Sequence, residues 1–268
     1  MHVTRTAATE IAHADQGTGP ALLLVHGHPF DHTMWQPQLD HFSRTHRVIA
    51  PDLRGYGATP LGAHPDSTDL GVFAEDLTDL LDELGVDRCV LAGLSMGGQI
   101  AMELYRRHPE RVRGLVLADT FPAAETEDGK AARNALADRL LAGGAPAMRG
   151  YADEVLDRMV APYNTHAAPH VHRMMCATDP AGAAAALRGR AERPDYRQTL
   201  TTVPFPALVV VGGDDTYTPV SDARDMHALL PRATLAIVEN AAHLPNLERP
   251  EEFNAVLENY LRSLERPN

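Results

Sequence analysis

The chain has 268 residues, an apolar share of 44% and a formal net charge of -12 with histidine counted as neutral. That length suits one large α/β domain, or one domain with a modest insertion, and is enough to bury a substantial core. The acidic balance favours solubility and argues against binding a phosphate backbone; with no basic patch, repeat or charged tail, a nucleic-acid role finds no support.

The N-terminus, MHVTRTAATEIAHAD, has no apolar h-region, and no later run approaches the length of a membrane span. A soluble cytoplasmic protein is the expectation. Ala21–Val25, Arg47–Ala50, Cys89–Ala92, Leu115–Ala118, Ala207–Val211 and Thr234–Val238 read as buried strands. They are continuous apolar runs, as expected where both faces of a parallel sheet are covered. Between them, Leu70–Leu84 carries Val72, Phe73, Leu77, Leu80, Leu81 and Leu84 near a 3.6 period, and Gly85 supplies a stop. Gln99–His108 reads as a second helix ended by Pro109, and Glu251–Leu264 as a third after Pro250. Strands alternating with helices predict a doubly wound, mostly parallel α/β sheet.

One stretch breaks the rhythm. From Phe121 to Thr202 no strand is predicted, and Ala-rich pieces are separated by Gly143–Gly144, Pro146, Pro162, Pro169, Pro180, Gly182 and Pro194. A structureless loop of that length is implausible, so several short helices are expected there, inserted between two strands over the ligand crevice as a lid. The expected division is residues 1–120 and 203–268 as core and 121–202 as lid. Ala181–Ala186 reads as plain helix. His166, His170 and His172 read as solvated or pocket-edge residues, because Pro169 interrupts a helix at that point. The two cysteines, Cys89 and Cys176, make no disulfide framework and no C-x-x-C pair; Cys89 falls in an apolar run and reads as a small buried hydrophobe, consistent with a reducing compartment.

After the strand at Cys89–Ala92 comes Gly93-Leu94-Ser95-Met96-Gly97-Gly98, then a helix. This is G-x-S-x-G in a strand–turn–helix setting. Such a turn needs backbone conformations that side chains resist, and glycines two before and two after the serine prevent clashes. It exposes the Ser95 hydroxyl and aims the N-terminal N–H groups of the helix at any developing oxyanion. A second donor must come from a neighbouring loop. His26-Gly27-His28-Pro29-Phe30 follows the first strong strand, and the N–H of His28 joins that of Met96 as the expected oxyanion hole, since Pro29 has none. A metal site at His26, His28 and His32 is disfavoured because no Cys, Asp or Glu completes a close-spaced set.

Past the strand at Ala207–Val211 stand Asp214 and Asp215, either of which can orient an imidazole from the sheet rim; Asp119, past Leu115–Ala118, is a further possible acid, and its bland role is turn chemistry. Of 14 histidines, His243 alone lies downstream of the acid and just beyond a strand end. Phe30, Trp35, Phe121, Tyr217 and Leu244 follow motif residues, and Met174 and Met175 lie in the lid; all seven are candidate pocket residues that can equally be core.

Together with Asp52-Leu53-Arg54-Gly55-Tyr56-Gly57 and His243-Leu244-Pro245-Asn246-Leu247-Glu248, these motifs resemble the α/β-hydrolase superfamily over nearly the whole chain except the lid. The Gly-Leu-Ser-Met-Gly-Gly turn is most similar to 3-oxoadipate enol-lactonases, related esterases and cofactor-free haloperoxidases. The resemblance implies the α/β-hydrolase fold and a Ser95–His243–Asp215 triad, the acid being Asp215, with Met96 and His28 as oxyanion donors. It implies a structural role for Asp52–Gly55, and needs no metal or organic cofactor. The serine nucleophile departs from haloalkane dehalogenases and epoxide hydrolases, which carry aspartate there. His28 replaces a more usual apolar residue and adds a polar side chain near the pocket mouth. The implied activity is cleavage of a small to medium carboxylic ester or lactone. The same triad serves perhydrolysis or C–C bond hydrolysis, and a small-molecule-binding protein without turnover is the non-enzyme alternative.

Overall fold

The structure, a computed structural model, describes residues 1–62 and 66–265. Eight strands form one sheet: β1 (His2–Arg5), β2 (Glu10–Gln16), β3 (Ala21–Val25), β4 (Arg47–Pro51), β5 (Cys89–Leu94), β6 (Val112–Ala118), β7 (Ala207–Gly212) and β8 (Ala233–Val238), in spatial order β1-β2-β4-β3-β5-β6-β7-β8. From β4 through β8 all neighbours are parallel; β2 pairs antiparallel with both β1 and β4. The six predicted strands are present. The two added strands carry HVTR and EIAHADQ, short and polar stretches that gain strand geometry from antiparallel pairing rather than from an apolar run.

Side-chain alternation on the strands divides the core into two layers. Leu23, Val25, Leu91, Leu115 and Leu117 face α2 (Leu70–Glu83) and α3 (Met96–Arg107), while Leu22, Leu24, Val90, Ala92 and Val116 face the other side. That second side is covered by α1 (Gln36–Phe42) and the C-terminal helix over Pro250–Glu265. Cys89 is buried on β5, and both it and Cys176 are free.

Between β6 and β7 lie α4 (Glu127–Met159), α5 (Ala168–Ala177), α6 (Pro180–Ala191) and the single turn α7 (Arg197–Leu200). Gly144, at φ +59° and ψ -146°, is non-helical, so α4 is two helices meeting at a kink where Gly143–Gly144 and Pro146 predict a break. Pro169 opens α5 rather than interrupting a helix, a position where its missing N–H costs nothing. A small apolar cluster, Ala137, Leu140, Met148, Ala183, Ala184 and Leu187, joins α4 to α6. The α6 backbone meets the core at Gly182, where a Cβ would lie 1.9 Å from the Gly55 carbonyl oxygen. The chain closes through α8 (Val220–Leu229), α9 (Pro245–Glu248) and α10 (Pro250–Glu265). Among the described residues no helix is long and apolar enough to cross a membrane.

Candidate active site

The candidate catalytic and oxyanion residues each follow the carboxyl end of a parallel strand, so the sheet delivers them to one edge. Gly27 and His28 follow β3, Ser95 follows β5, Asp119 follows β6, Asp215 follows β7 and His243 follows β8.

Ser95 adopts φ +57° and ψ -116°, outside the regions that side chains favour. Such a residue costs of order 1–3 kcal/mol and persists only where its surroundings hold it. Here the Ser95 N–H donates to Ala118 O at 2.9 Å, and Ser95 O accepts from Thr120 Oγ1 at 2.8 Å. The flanking glycines are required by space: a Cβ at Gly93 would lie 2.1 Å from Gly97 O, and one at Gly97 would lie 2.1 Å from Val25 O. The turn runs straight into α3, whose first residue is Met96. Gly27 packs against it, its Cβ position 3.2 Å from Ser95 Cβ. Among the described residues the N–H groups of His28 and Met96 have no protein acceptor.

His243 Nδ1–H donates to Asp215 Oδ2 at 2.8 Å, and both residues are buried. Asp215 is held in turn: Oδ1 accepts from the N–H groups of Tyr217 at 2.8 Å and Thr218 at 3.2 Å, and Oδ2 takes a short hydrogen bond from Thr218 Oγ1. Burial pushes its carboxyl up, but His243, Thr218 and Tyr217 outweigh this and hold it below the ordinary carboxylate value. Asp214 points outward, to the hydroxyl of the exposed Tyr163. Asp119 is buried at φ +45°; its Oδ1 accepts from Gly212 N at 2.8 Å, fixing the end of β7. Burial, and then the neighbouring Asp215, push its carboxyl well above the ordinary value, and it lies beside the Asp215–His243 pair.

The three clustered histidines separate. His26 Nδ1–H donates to Gly27 O and Nε2 accepts from Leu53 N; His32 donates to Asp52; His28 Nδ1 shares a hydrogen bond with Tyr56 Oη at 2.7 Å. Burial, then Arg190 and Arg133, drive the His28 pKa well down, leaving a neutral ring whose buried Nε2 has no partner among the described residues. Asp52 also accepts from Ala58 N, and Arg54 pairs with Asp76, so this motif ties loops together.

Ser95, His28 and His243 line one cavity of about 650 Å³. Of the seven candidate pocket residues, Phe121 and Tyr217 line it; Tyr217 also packs on His243 and under the Arg158 guanidinium. Phe30, Trp35, Met174, Met175 and Leu244 do not. They belong to the apolar layer on the α1 and α10 side, because neighbours of a motif residue are turned to the core by their own hydrophobicity. None of His166, His170 and His172 lines the cavity: His166 is exposed, His170 donates to Thr33 O, and His172 donates to Asp153.

In the sequence Glu248 is only the last residue of the motif that opens at His243, while in the structure it organises the loop around that histidine. Its Oε1 accepts from the N–H groups of Ala242 and Leu244, on either side of His243, and its Oε2 from Ala161 N and Asn164 Nδ2. A glutamate five residues after a candidate base was the one available signal. Arg190 was missed for the same reason, since its neighbours come from distant parts of the chain.

The sequence profile described as Alpha/beta hydrolase family matches residues 22–256. The chain belongs to that family. Among curated relatives in this alpha/beta hydrolase family, 3-oxoadipate enol-lactonase 1 of Acinetobacter baylyi is 28% identical, over 92% of this chain and 90% of its own length. The pimeloyl-[acyl-carrier protein] methyl ester esterase of Aeromonas hydrophila is also 28% identical, over 91% of this chain and 96% of its own. Among solved structures, a thermophilic esterase from Thermogutta terrifontis, described with malate bound, matches at a TM-score of 0.91 and 32% identity, covering 99% of each chain.

Proposed function

We propose that this alpha/beta hydrolase cleaves a small to medium carboxylic ester or lactone through an acyl-enzyme. The observation that carries this reading is the His243–Asp215 hydrogen bond at 2.8 Å, placed on the same cavity as a serine held at positive φ. Similarity to an enol-lactonase and to esterases supports the same chemistry.

In this mechanism His243 Nε2 takes the Ser95 proton as Oγ attacks the carbonyl carbon, while Asp215 holds the tautomer and stabilises the imidazolium. The oxyanion forms toward the N–H groups of His28 and Met96 at the start of α3, each such donor contributing about 3–4 kcal/mol to the transition state. His243 then protonates the leaving alcohol. Water, deprotonated by His243, attacks the acyl-enzyme and releases the acid. The helices between β6 and β7 act as the lid, contributing Arg133, Tyr151, Val155 and Leu187 to the cavity wall.

Turnover of p-nitrophenyl acetate, compared between the unsubstituted protein and Ser95→Ala, tests the reading. A loss of at least about 1,000-fold in kcat is expected. Equal rates in the two proteins would refute a serine mechanism.

A further inference from the structure

Arg190, on α6, is buried to 7% exposure and forms part of the cavity wall. Its Nε donates to Gln99 Oε1 at 3.1 Å, and among the described residues no carboxylate pairs with it. The two nearby cations share one acid: Glu125 accepts from Arg193 Nη1 at 2.9 Å and makes a short pair with Arg133. Three guanidinia thus face one carboxylate, an excess of two positive charges in a chain whose net charge is -12. The rest of the wall does not cancel it. Arg139 is paired with Glu154, and Arg158 lies 3.7 Å over the Tyr217 ring.

Burial, then Arg133 and Arg193, press the Arg190 pKa down, yet a guanidinium stays charged near neutral pH. A desolvated cation without a counter-charge is costly unless an anion completes it. Arg190 and His28 line the same cavity, so that anion would share it with the candidate oxyanion donor. With Nε given to Gln99, and with Arg133 and Arg193 tied to Glu125, the Arg190 Nη groups on the cavity wall have no carboxylate partner among the described residues. A single carboxylate matches a guanidinium in shape and charge.

We infer that the substrate is an ester or lactone bearing a free carboxylate, and that Arg190 binds this carboxylate inside the cavity. The inference rests on the hydrolase reading for its reaction, but the anion site is open to a binding test that needs no turnover. Glutarate, its neutral analogue glutaramide and inorganic phosphate would be titrated calorimetrically. In parallel, kcat/KM would be compared for p-nitrophenyl hemisuccinate and the p-nitrophenyl methyl succinate diester, which differ only in the carboxylate.

The unsubstituted protein should bind glutarate saturably and glutaramide not at all, and should prefer the hemisuccinate by at least about tenfold. Arg190→Met should abolish glutarate binding and lower the hemisuccinate-to-diester ratio by at least about tenfold, to near one, with Arg190→Lys restoring part of both. Equal use of the two esters with no glutarate binding would overturn the carboxylate site and leave the hydrolase reading standing. Glutarate binding through Arg190 without cleavage of either ester would do the reverse. Phosphate binding more tightly than glutarate would overturn the choice of carboxylate.

Discussion

His243 Nδ1 lies 2.8 Å from Asp215 Oδ2, while the adjacent Asp214 turns its carboxylate away to Tyr163. Two neighbouring aspartates therefore have different surroundings, and substitution should separate them. Asp215→Asn is expected to lower kcat by about 1,000- to 10,000-fold, because an amide at that position favours the wrong imidazole tautomer. Asp214→Asn should stay within about threefold, as exposed surface changes usually do. Steady-state kinetics on one ester, run on both variants, decide the assignment; equal losses would contradict it.

Glu248 holds the His243 loop from both sides and ties it to the segment between α4 and α5. A glutamine keeps one oxygen and sets an amide donor against N–H donors. Each buried group left unpaired costs about 1–3 kcal/mol. Glu248→Gln should lower Tm by roughly 2–10 °C and reduce kcat more than it raises KM. Unchanged Tm and kcat would show that the loop is held by other contacts.

The nucleophile turn tolerates no side chain at Gly97. A methyl there would lie 2.1 Å from Val25 O and 2.6 Å from His26 O, so Gly97→Ala should destabilise the protein by more than about 2 kcal/mol and abolish turnover. Gly150, within α4, has open space around its Cβ position, and Gly150→Ala should raise stability by about 0.5–1 kcal/mol. Denaturant titration of both variants checks the pair. A stable, active Gly97→Ala protein would contradict the close approach of the turn to β3.

Glu125 joins Arg133 of α4 to Arg193 beyond α6. Burial raises its carboxyl, but the two arginines outweigh this and hold it at about 2, below the ordinary 4.5. A depressed folded-state pKa means stability that is fully present above pH 4.5 and is lost as pH falls toward about 2. Glu125→Gln should therefore cost on the order of 1–3 kcal/mol at neutral pH and nearly nothing at pH 2. Tm measured against pH should show the two curves converging across that window; parallel curves would contradict the pairing.

The strands and the nucleophile turn were legible because each is written locally: Leu22, Leu23 and Leu24 form a continuous apolar run, and the glycines around Ser95 answer a backbone demand within five residues. β1 and β2 were not, since their polar residues take strand geometry from partners elsewhere in the sheet. Proximity to a motif proved a poor guide to the cavity wall. Trp35 and Leu244 adjoin site loops yet turn into the core, while Arg190 reaches the cavity from α6, nearly a hundred residues from Ser95 in the chain but facing the same space. Choosing Asp215 over Asp214 on local chemistry was likewise beyond the sequence, because a tight turn decides which of two adjacent carboxylates faces His243.

An activated Ser95 hydroxyl underlies the proposed hydrolysis. Incubation of the folded protein with a fluorophosphonate, followed by peptide mass spectrometry, reads this directly. One stoichiometric adduct is expected on Ser95, absent from Ser95→Ala and much slower to form in His243→Ala. Folded protein that takes no label, or takes it at another serine, would contradict Ser95 as the nucleophile.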